Sequence, residues 1–106
     1  MRIDFLFFED CPSHSQALAR LRKVLAERAE RAEISVTEVT TEEQALDLEF
    51  LGSPTIRIDG QDIDPILDHP NYALSCRTYH LEDGRISPLP SEGMIRRAIE
   101  SAAPSS

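Results

Sequence analysis

The chain has little basic charge, few cysteines and no long apolar run, and each shortage excludes a class of protein. Among its 106 residues, 11 Lys and Arg stand against 19 Asp and Glu, so the formal net charge is −8. This balance argues against nucleic acids and anionic membranes as partners, because phosphate groups attract a surplus of Lys and Arg. The apolar run at the N-terminus is short and contains Asp4, so we expect neither a signal peptide nor a membrane span.

A cytoplasmic location is therefore the expectation. In that reducing compartment the two cysteines of the chain, Cys11 and Cys76, would not form a permanent structural disulfide. The sequence also lacks a Gly-rich phosphate loop, and its histidines, His14, His69 and His80, lack the paired short spacings of a zinc site. We expect no metal ion or other cofactor as a resident group.

Hydrophobic periodicity and capping signals predict an α/β domain whose first strands are parallel. The predicted order is strand, helix, strand, helix, hairpin and a last helix capped by Ser91, at residues 2–8, 13–32, 34–39, 41–51, 53–63 and 92–102. A capping-box pattern, with Gln three residues later, begins at Ser13 and at Thr41, and Gly52 is expected to end the second helix. A second possible start of the first helix has Cys11 as the cap and Pro12 at the first helical position.

A polar, proline-containing segment at residues 65–90 separates the hairpin from the last helix. It predicts a short strand around residues 73–81 and a turn at residues 82–85. We expect residues 1–103 to form one domain that includes this segment, and residues 104–106 to be a frayed tail.

Cys11 lies where the first predicted strand meets the first predicted helix. A thiol at a helix N-terminus is stabilised as the thiolate by the helix dipole and by unpaired N–H groups. His14 would add a cationic neighbour or a hydrogen bond, whereas the carboxylates of Glu9 and Asp10 would raise the thiol pKa. We expect a reactive Cys11; the alternative is an inert cysteine kept for packing, with His14 solvated.

Three motifs carry a resemblance to a known family. They are Phe8-Glu9-Asp10-Cys11-Pro12, Gly52-Ser53-Pro54-Thr55-Ile56 with the following Ile58-Asp59-Gly60, and Ser75-Cys76-Arg77-Thr78-Tyr79. With the β-α-β-α-β-β-α order, they resemble the thioredoxin-like superfamily. More narrowly, they are similar to small bacterial thioredoxin- and glutaredoxin-like proteins with a single-cysteine Cys-Pro-x-x motif, some of them labelled alkylmercury lyase. The chain departs from thioredoxins in having no Trp and no second cysteine in the motif, where His14 stands instead.

The resemblance implies a three-layer thioredoxin-like fold with residues 65–90 inserted before the last helix. It also implies a cis peptide bond before Pro54, facing Cys11. Such a bond would leave the preceding backbone N–H and C=O free, so that an extended thiol-containing chain could pair there as an added strand. The alternative is that Pro54 merely begins an edge strand.

The activity implied is thiol–disulfide exchange. Thiolate Cys11 would attack a disulfide, and Cys76 or an external thiol would resolve the mixed intermediate. The partner would be a thiol- or disulfide-containing protein or a small thiol. The expected contacts with it are Pro12, His14, Ser53, Pro54, Thr55 and Arg77. Arg77 would meet an anionic group of glutathione or, alternatively, form a surface ion pair with a carboxylate.

Two other functions remain open for the same residues. Cys11 and Cys76 are also soft ligands for a thiophilic metal such as mercury or copper, which would make the protein a binding module. Without either chemistry, the chain would be a thioredoxin-fold scaffold, and Cys76 a small buried hydrophobe. Whether the two thiols lie close together in the folded chain distinguishes these functions.

Overall fold

A four-stranded mixed sheet with helices on both faces forms the centre of the molecule, which a computed structural model describes at residues 1–28, 31–66 and 70–102. The elements are β1 (Arg2–Phe7), α1 (His14–Glu27), β2 (Glu33–Glu38), α2 (Glu42–Asp47), β3 (Thr55–Ile58), β4 (Gln61–Asp62), β5 (Tyr79–His80), β6 (Ile86–Ser87) and α3 (Glu92–Ala102). The sheet order is β2-β1-β3-β4, and β5 and β6 form a separate hairpin. β1 pairs parallel with β2 and antiparallel with β3, which pairs antiparallel with β4. The α/β class expected from the sequence is therefore confirmed.

Alternating side chains of β1 build a core on each face of the sheet, as the period of two in a strand requires. Ile3 and Phe5 belong to the larger cluster, with buried residues of α1, α3 and β3: Ala17, Leu21, Val24, Leu25, Ile95, Ile99, Ile56 and Ile58. Leu6 belongs to a smaller cluster on the other face, with Val39, Ala45 and Phe50. Helices α1 and α3 therefore cover one face, and α2 covers the other.

The first helix differs from the prediction at both ends. It begins at His14 and ends at Glu27, and residues 29–30 lie outside the described part of the chain. Ser13 is its N-cap, but its side chain makes no capping hydrogen bond. The reason is its helical backbone (φ −80°, ψ −14°), since a capping hydroxyl needs an extended residue to reach the first turn. The capping box expected at Ser13 is therefore wrong, as is the start with Cys11 as the cap.

The second helix begins as predicted and ends early. Thr41 is extended (φ −133°, ψ 156°), its Oγ1 accepts a hydrogen bond from the Gln44 N–H at 3.1 Å, and the Gln44 side chain accepts one from the Thr41 N–H. The helix ends at Asp47, and Glu49, at φ 53°, already reverses the chain. Gly52 therefore does not end this helix, which corrects the expectation from the sequence.

The predicted turns are confirmed. Asp59 and Gly60 connect β3 and β4 with positive φ angles of 50° and 86°, as a two-residue hairpin turn requires. The strand expected at residues 73–81 is limited to β5, which pairs with β6 across the turn at residues 82–85. Ser91 caps α3, because its Oγ accepts a hydrogen bond from the Met94 N–H at 3.1 Å.

His69 and the tail at residues 104–106 lie outside the described residues. Within the described ranges, no helix is long and apolar enough to cross a membrane.

Candidate active site

Cys11 lies at the bottom of the site, in the turn between β1 and α1. Its side chain is 0% exposed, and its backbone N–H donates to the Phe8 carbonyl oxygen at 3.0 Å. The Cys11 thiol donates to the Ser53 carbonyl oxygen, with 3.4 Å between sulfur and oxygen, and its Sγ lies 3.8 Å from Ser13 Oγ. The sulfur is therefore enclosed between the start of α1 and the segment that leads into β3.

Ser53 connects this buried sulfur to the segment that carries the second cysteine. The Ser53–Pro54 peptide bond is cis, as expected. The Ser53 N–H donates to the Ser75 carbonyl oxygen at 2.8 Å, and the Ser53 carbonyl oxygen accepts from the Arg77 N–H at 2.9 Å. Ser53 and Cys76 are thus paired like residues of two parallel strands. The N–H and C=O of Ser53, which we expected to be free to pair with a bound peptide, are therefore bonded to residues 75 and 77 of the same chain.

Cys11 and Cys76 both meet Ser53, and both cysteines are free. Cys11 is buried, whereas Cys76 is exposed. The Cys11 Sγ and the Arg77 N–H reach the same Ser53 oxygen, at 3.4 and 2.9 Å, which keeps the sulfur close to the backbone of Cys76. Each thiol also shifts the pKa of the other, so the two sulfur atoms are close enough to interact. The tertiary structure therefore brings together two residues far apart in the sequence.

This contact shifts the two thiol pKa values in opposite directions. Burial raises the pKa of Cys11, but hydrogen bonds from Cys76 and then Ser13 outweigh burial, and the pKa is lowered from its ordinary value. The pKa of Cys76 is raised, chiefly because its proton is held by Cys11; burial and the negative charge of a Cys11 thiolate add to this. In the reduced pair, Cys11 is therefore the more acidic thiol.

The hydroxyl of Ser53 is a further donor beside the buried sulfur. Ser53 Oγ is buried and has no hydrogen-bond partner among the described residues while Cys11 is a thiol. Its position still lowers the pKa of Cys11, because a hydroxyl beside the sulfur stabilises the thiolate by donating to it.

Arg77 anchors the segment that carries Cys76. Its side chain is 1% exposed and forms a bidentate pair with Asp62, with Nη1–Oδ2 and Nη2–Oδ1 distances of 2.7 and 2.8 Å. Nη2 also donates to the Asp64 carbonyl oxygen, and the guanidinium lies 4.4 Å from the centre of the Tyr79 ring. The expectation of a surface residue or a substrate contact at Arg77 is therefore corrected. The ion pair with a carboxylate exists, but it is internal.

Gly52 allows this segment to approach closely. Its φ is +120°, and a Cβ at this position would lie 3.0 Å from the Cβ of Arg77. Thr55, expected to contact the partner, is 0% exposed, and its hydroxyl donates to the Gly52 carbonyl oxygen. Pro54 is also buried, and its carbonyl oxygen accepts from the Tyr79 hydroxyl. Ser53, Pro54 and Thr55 are therefore covered in this structure, because residues 75–79 lie over them.

His14 takes no part in the thiol contact. Its ring stacks on Phe7, with 4.6 Å between the ring centres, and its Nε2 lies 3.9 Å from Glu9 Oε2. Among the described residues no hydrogen bond joins His14 to Cys11. Pro12 is exposed beside the site. Within the same part of the chain, no three His, Cys, Asp or Glu side chains are grouped to hold a metal ion.

Asp62, Ser75 and Tyr79 support the site but are not among the site residues expected from the sequence, although Ser75 and Tyr79 lie in the third motif. In the structure, burial alternates from Cys76 to His80, with Arg77 and Tyr79 on the buried side. The amino-acid sequence does not show this alternation, because a buried arginine needs a charged partner that the local sequence does not reveal.

No family model, curated protein or solved structure matches this chain. The class of site is therefore defined by its own geometry: a pair of reduced, adjacent thiols of unequal acidity and unequal exposure.

Proposed function

We propose that the protein is a thiol–disulfide oxidoreductase in which Cys11 and Cys76 alternate between a dithiol and a disulfide. The observation that carries this proposal is the contact between two free thiols at Ser53. Two thiols that meet the same residue and shift each other's pKa are close to the arrangement in which one sulfur attacks the other. A structural pair of cysteines would require neither the lowered pKa of Cys11 nor the exposure of Cys76.

We further propose that the fold is thioredoxin-like, with residues 65–90 as the inserted segment. Three features support this. The strand order is β2-β1-β3-β4 with β3 antiparallel to β1, Cys11 follows β1, and a cis proline, Pro54, directly precedes β3 beside that cysteine.

The proposed reaction balances without a cofactor. A substrate disulfide, R–S–S–R′, takes two electrons and two protons from the Cys11–Cys76 dithiol and leaves as two thiols. The protein is left with a Cys11–Cys76 disulfide. An external dithiol returns two electrons and two protons to it. A reducing compartment such as the cytoplasm, the location we propose, would keep the pair reduced between turnovers. The partner is a disulfide-containing protein or a small disulfide.

Mass mapping of the thiols after mild oxidation tests this function. We expect one intramolecular disulfide between Cys11 and Cys76, formed independently of protein concentration, and turnover of a model disulfide with an external dithiol as reductant. Cys11→Ser and Cys76→Ser are the matched controls, and each should abolish the intramolecular disulfide and multiple turnover. Oxidation that yields only intermolecular or mixed disulfides in the unaltered protein would contradict the proposal.

Sequestration of a soft metal ion is the second candidate, and the same thiol contact favours it. Two adjacent thiolates are a suitable donor pair for two-coordinate mercury(II) or copper(I). Here the metal ion would be cargo. Stoichiometric retention of the ion during gel filtration, lost in either Cys→Ser variant and without turnover of a disulfide, would favour this function.

A further inference from the structure

We infer that Cys76, rather than Cys11, is the thiol that forms the mixed disulfide with the external substrate, and that Cys11 resolves it. This inference rests on the proposed dithiol function and reverses the order expected from the sequence. It identifies the side from which the substrate arrives and the role of each sulfur.

The two cysteines differ in their access to solvent. Thiol–disulfide exchange requires the attacking sulfur to touch a substrate sulfur. Cys11 has 0% of its surface exposed, so a substrate sulfur has no path to it in this structure. Cys76 is exposed and lies directly over it, paired with Ser53. A disulfide arriving from solvent therefore meets Cys76 first.

The segment that covers Cys11 is firmly held. Two backbone hydrogen bonds attach residues 75–77 to Ser53, at 2.8 and 2.9 Å. Next to Cys76, the buried pair of Arg77 and Asp62 anchors the segment from the inside. Exposing Cys11 would break the two hydrogen bonds and disturb an ion pair whose charges are costly to separate away from water. Attack through Cys76 needs none of these changes.

The backbone hydrogen bonds of Ser53 also limit the class of substrate. The Ser53 N–H and C=O would be the partners of an extended peptide that adds as a strand, but both are bonded to Ser75 and Arg77. A peptide therefore cannot add as a strand at Ser53 while residues 75–77 are bonded there. The open approach to Cys76 suits a low-molecular-weight disulfide.

Proton transfer within the pair supplies the thiolate that attack requires. In the first step, starting from the dithiol, Cys11 loses its proton to solvent and the Cys76 proton passes to the Cys11 sulfur. The Cys76 thiolate attacks R–S–S–R′, a Cys76–SR bond forms as the S–S bond breaks, and R′S⁻ leaves and takes a proton from solvent. In the second step Cys11 releases that proton to solvent and attacks the Cys76 sulfur. The Cys11–Cys76 bond forms and RS⁻ leaves with a proton from solvent. The donors around Cys11, Ser13 and Ser53, favour the thiolate that this second step needs.

Cys11→Ser and Cys76→Ser form a matched pair of variants for the test. Each is reacted with the aromatic disulfide 5,5′-dithiobis(2-nitrobenzoic acid), and the release of the coloured thiolate is followed. Rates are compared on the plateau at high pH, where differences in thiol pKa no longer matter. Cys11→Ser, which keeps Cys76, should react at least about tenfold faster, because a buried thiol reacts only during local opening. Equal rates, or faster reaction of Cys76→Ser, would overturn the inference.

Sub-denaturing urea gives a second measurement that does not depend on a further substitution. The rate at Cys11 in the Cys76→Ser variant should rise with urea, since urea favours local opening, while the rate at Cys76 in Cys11→Ser should stay flat. A rate that rises with urea at Cys76 and stays flat at Cys11 would show that Cys76 is the protected thiol and would contradict the inference.

Reaction of the unaltered protein with the same aromatic disulfide distinguishes a failure of this inference from a failure of the proposed dithiol function. Release of two equivalents of thiolate with a Cys11–Cys76 disulfide as product supports the dithiol function, whichever cysteine reacts first. A product that carries one aryl group on each cysteine, with no intramolecular disulfide, would overturn both.

Discussion

Arg77 and Asp62 form a bidentate ion pair inside the protein, and this pair holds the neighbouring Cys76 above Cys11. The Arg77 side chain is 1% exposed and that of Asp62 is 10% exposed. Burial lowers the pKa of Arg77, but hydrogen bonds to Asp62 outweigh this and the pKa is raised, so the guanidinium stays charged. The geometry of the thiols therefore depends on a charge pair that is chemically unrelated to them.

Replacing Asp62 tests this dependence. Asp62→Ala leaves the Arg77 charge buried without its carboxylate, and we expect a loss of about 3–5 kcal/mol in the free energy of unfolding. Denaturant unfolding of the reduced protein measures it. Asp83→Asn, which breaks an exposed pair with Arg85, is the control and should change the unfolding midpoint very little. Equal effects of the two substitutions would contradict an anchoring role for Asp62.

Gly52→Ala tests the close approach of the segment to β3. The added Cβ would lie 3.0 Å from the Arg77 Cβ, and the alanine would have to keep a φ of +120°. We therefore expect destabilisation of about 1–3 kcal/mol and a faster reaction of Cys11 with a thiol reagent. Gly84→Ala is the matched control, because Gly84 also has a positive φ, 87°, but an added Cβ there touches nothing within 4 Å. A faster reaction of Cys11 in both variants would show that contact with Arg77 is not the cause.

The Ser53→Ala variant distinguishes an effect on the acidity of Cys11 from an effect on the stability of the fold. Without the hydroxyl, the thiolate loses a donor, so the pKa of Cys11 should rise. The free energy of unfolding should stay the same or increase slightly, because the lost Oγ is buried and makes no hydrogen bond in the thiol form among the described residues. Ultraviolet titration of the thiolate and denaturant unfolding give the two values. A parallel loss of stability would instead assign Ser53 a structural role.

The opposite pKa shifts of the two thiols predict reciprocal changes in the single variants. Cys76→Ala removes the main hydrogen-bond donor to Cys11, so the pKa of Cys11 should rise. Cys11→Ala removes the acceptor that holds the Cys76 proton, so the pKa of Cys76 should fall toward its ordinary value. Thiolate titration of each variant measures the remaining cysteine. Unchanged values in both variants would contradict the contact between the thiols.

The same shifts set the sign of the pH dependence of folding. Cys11, whose folded pKa is lowered, adds stability that is fully present above the unfolded thiol pKa, about 8.5, and is lost as pH falls through the folded value. Cys76, whose folded pKa is raised, adds stability that is present below the unfolded pKa and is lost as pH rises through the folded value. In Cys76→Ala the second contribution disappears and the first becomes smaller, because the pKa of Cys11 rises. Denaturant unfolding over this pH range measures both changes.

Local signals in the sequence predicted the elements that depend on neighbouring residues. The capping box at Thr41, the Asp59–Gly60 turn and the cap at Ser91 all formed, because their partners lie within a few positions. The same capping pattern failed at Ser13. There the tight turn closed by the Cys11 N–H and the Phe8 carbonyl oxygen leaves Ser13 with a helical backbone, and its hydroxyl lies toward the Cys11 sulfur.

The sequence by itself determined the α/β class, the alternating core of the first strand and the position of Cys11 before the first helix, because periodicity and local hydrogen bonding set these. Only the tertiary structure decided which residues meet Cys11. The contact with Cys76 depends on the path of a polar segment, and that path depends on a buried pair between Arg77 and Asp62. No local periodicity encodes such a pair, since its stability comes from exclusion of water by the folded chain.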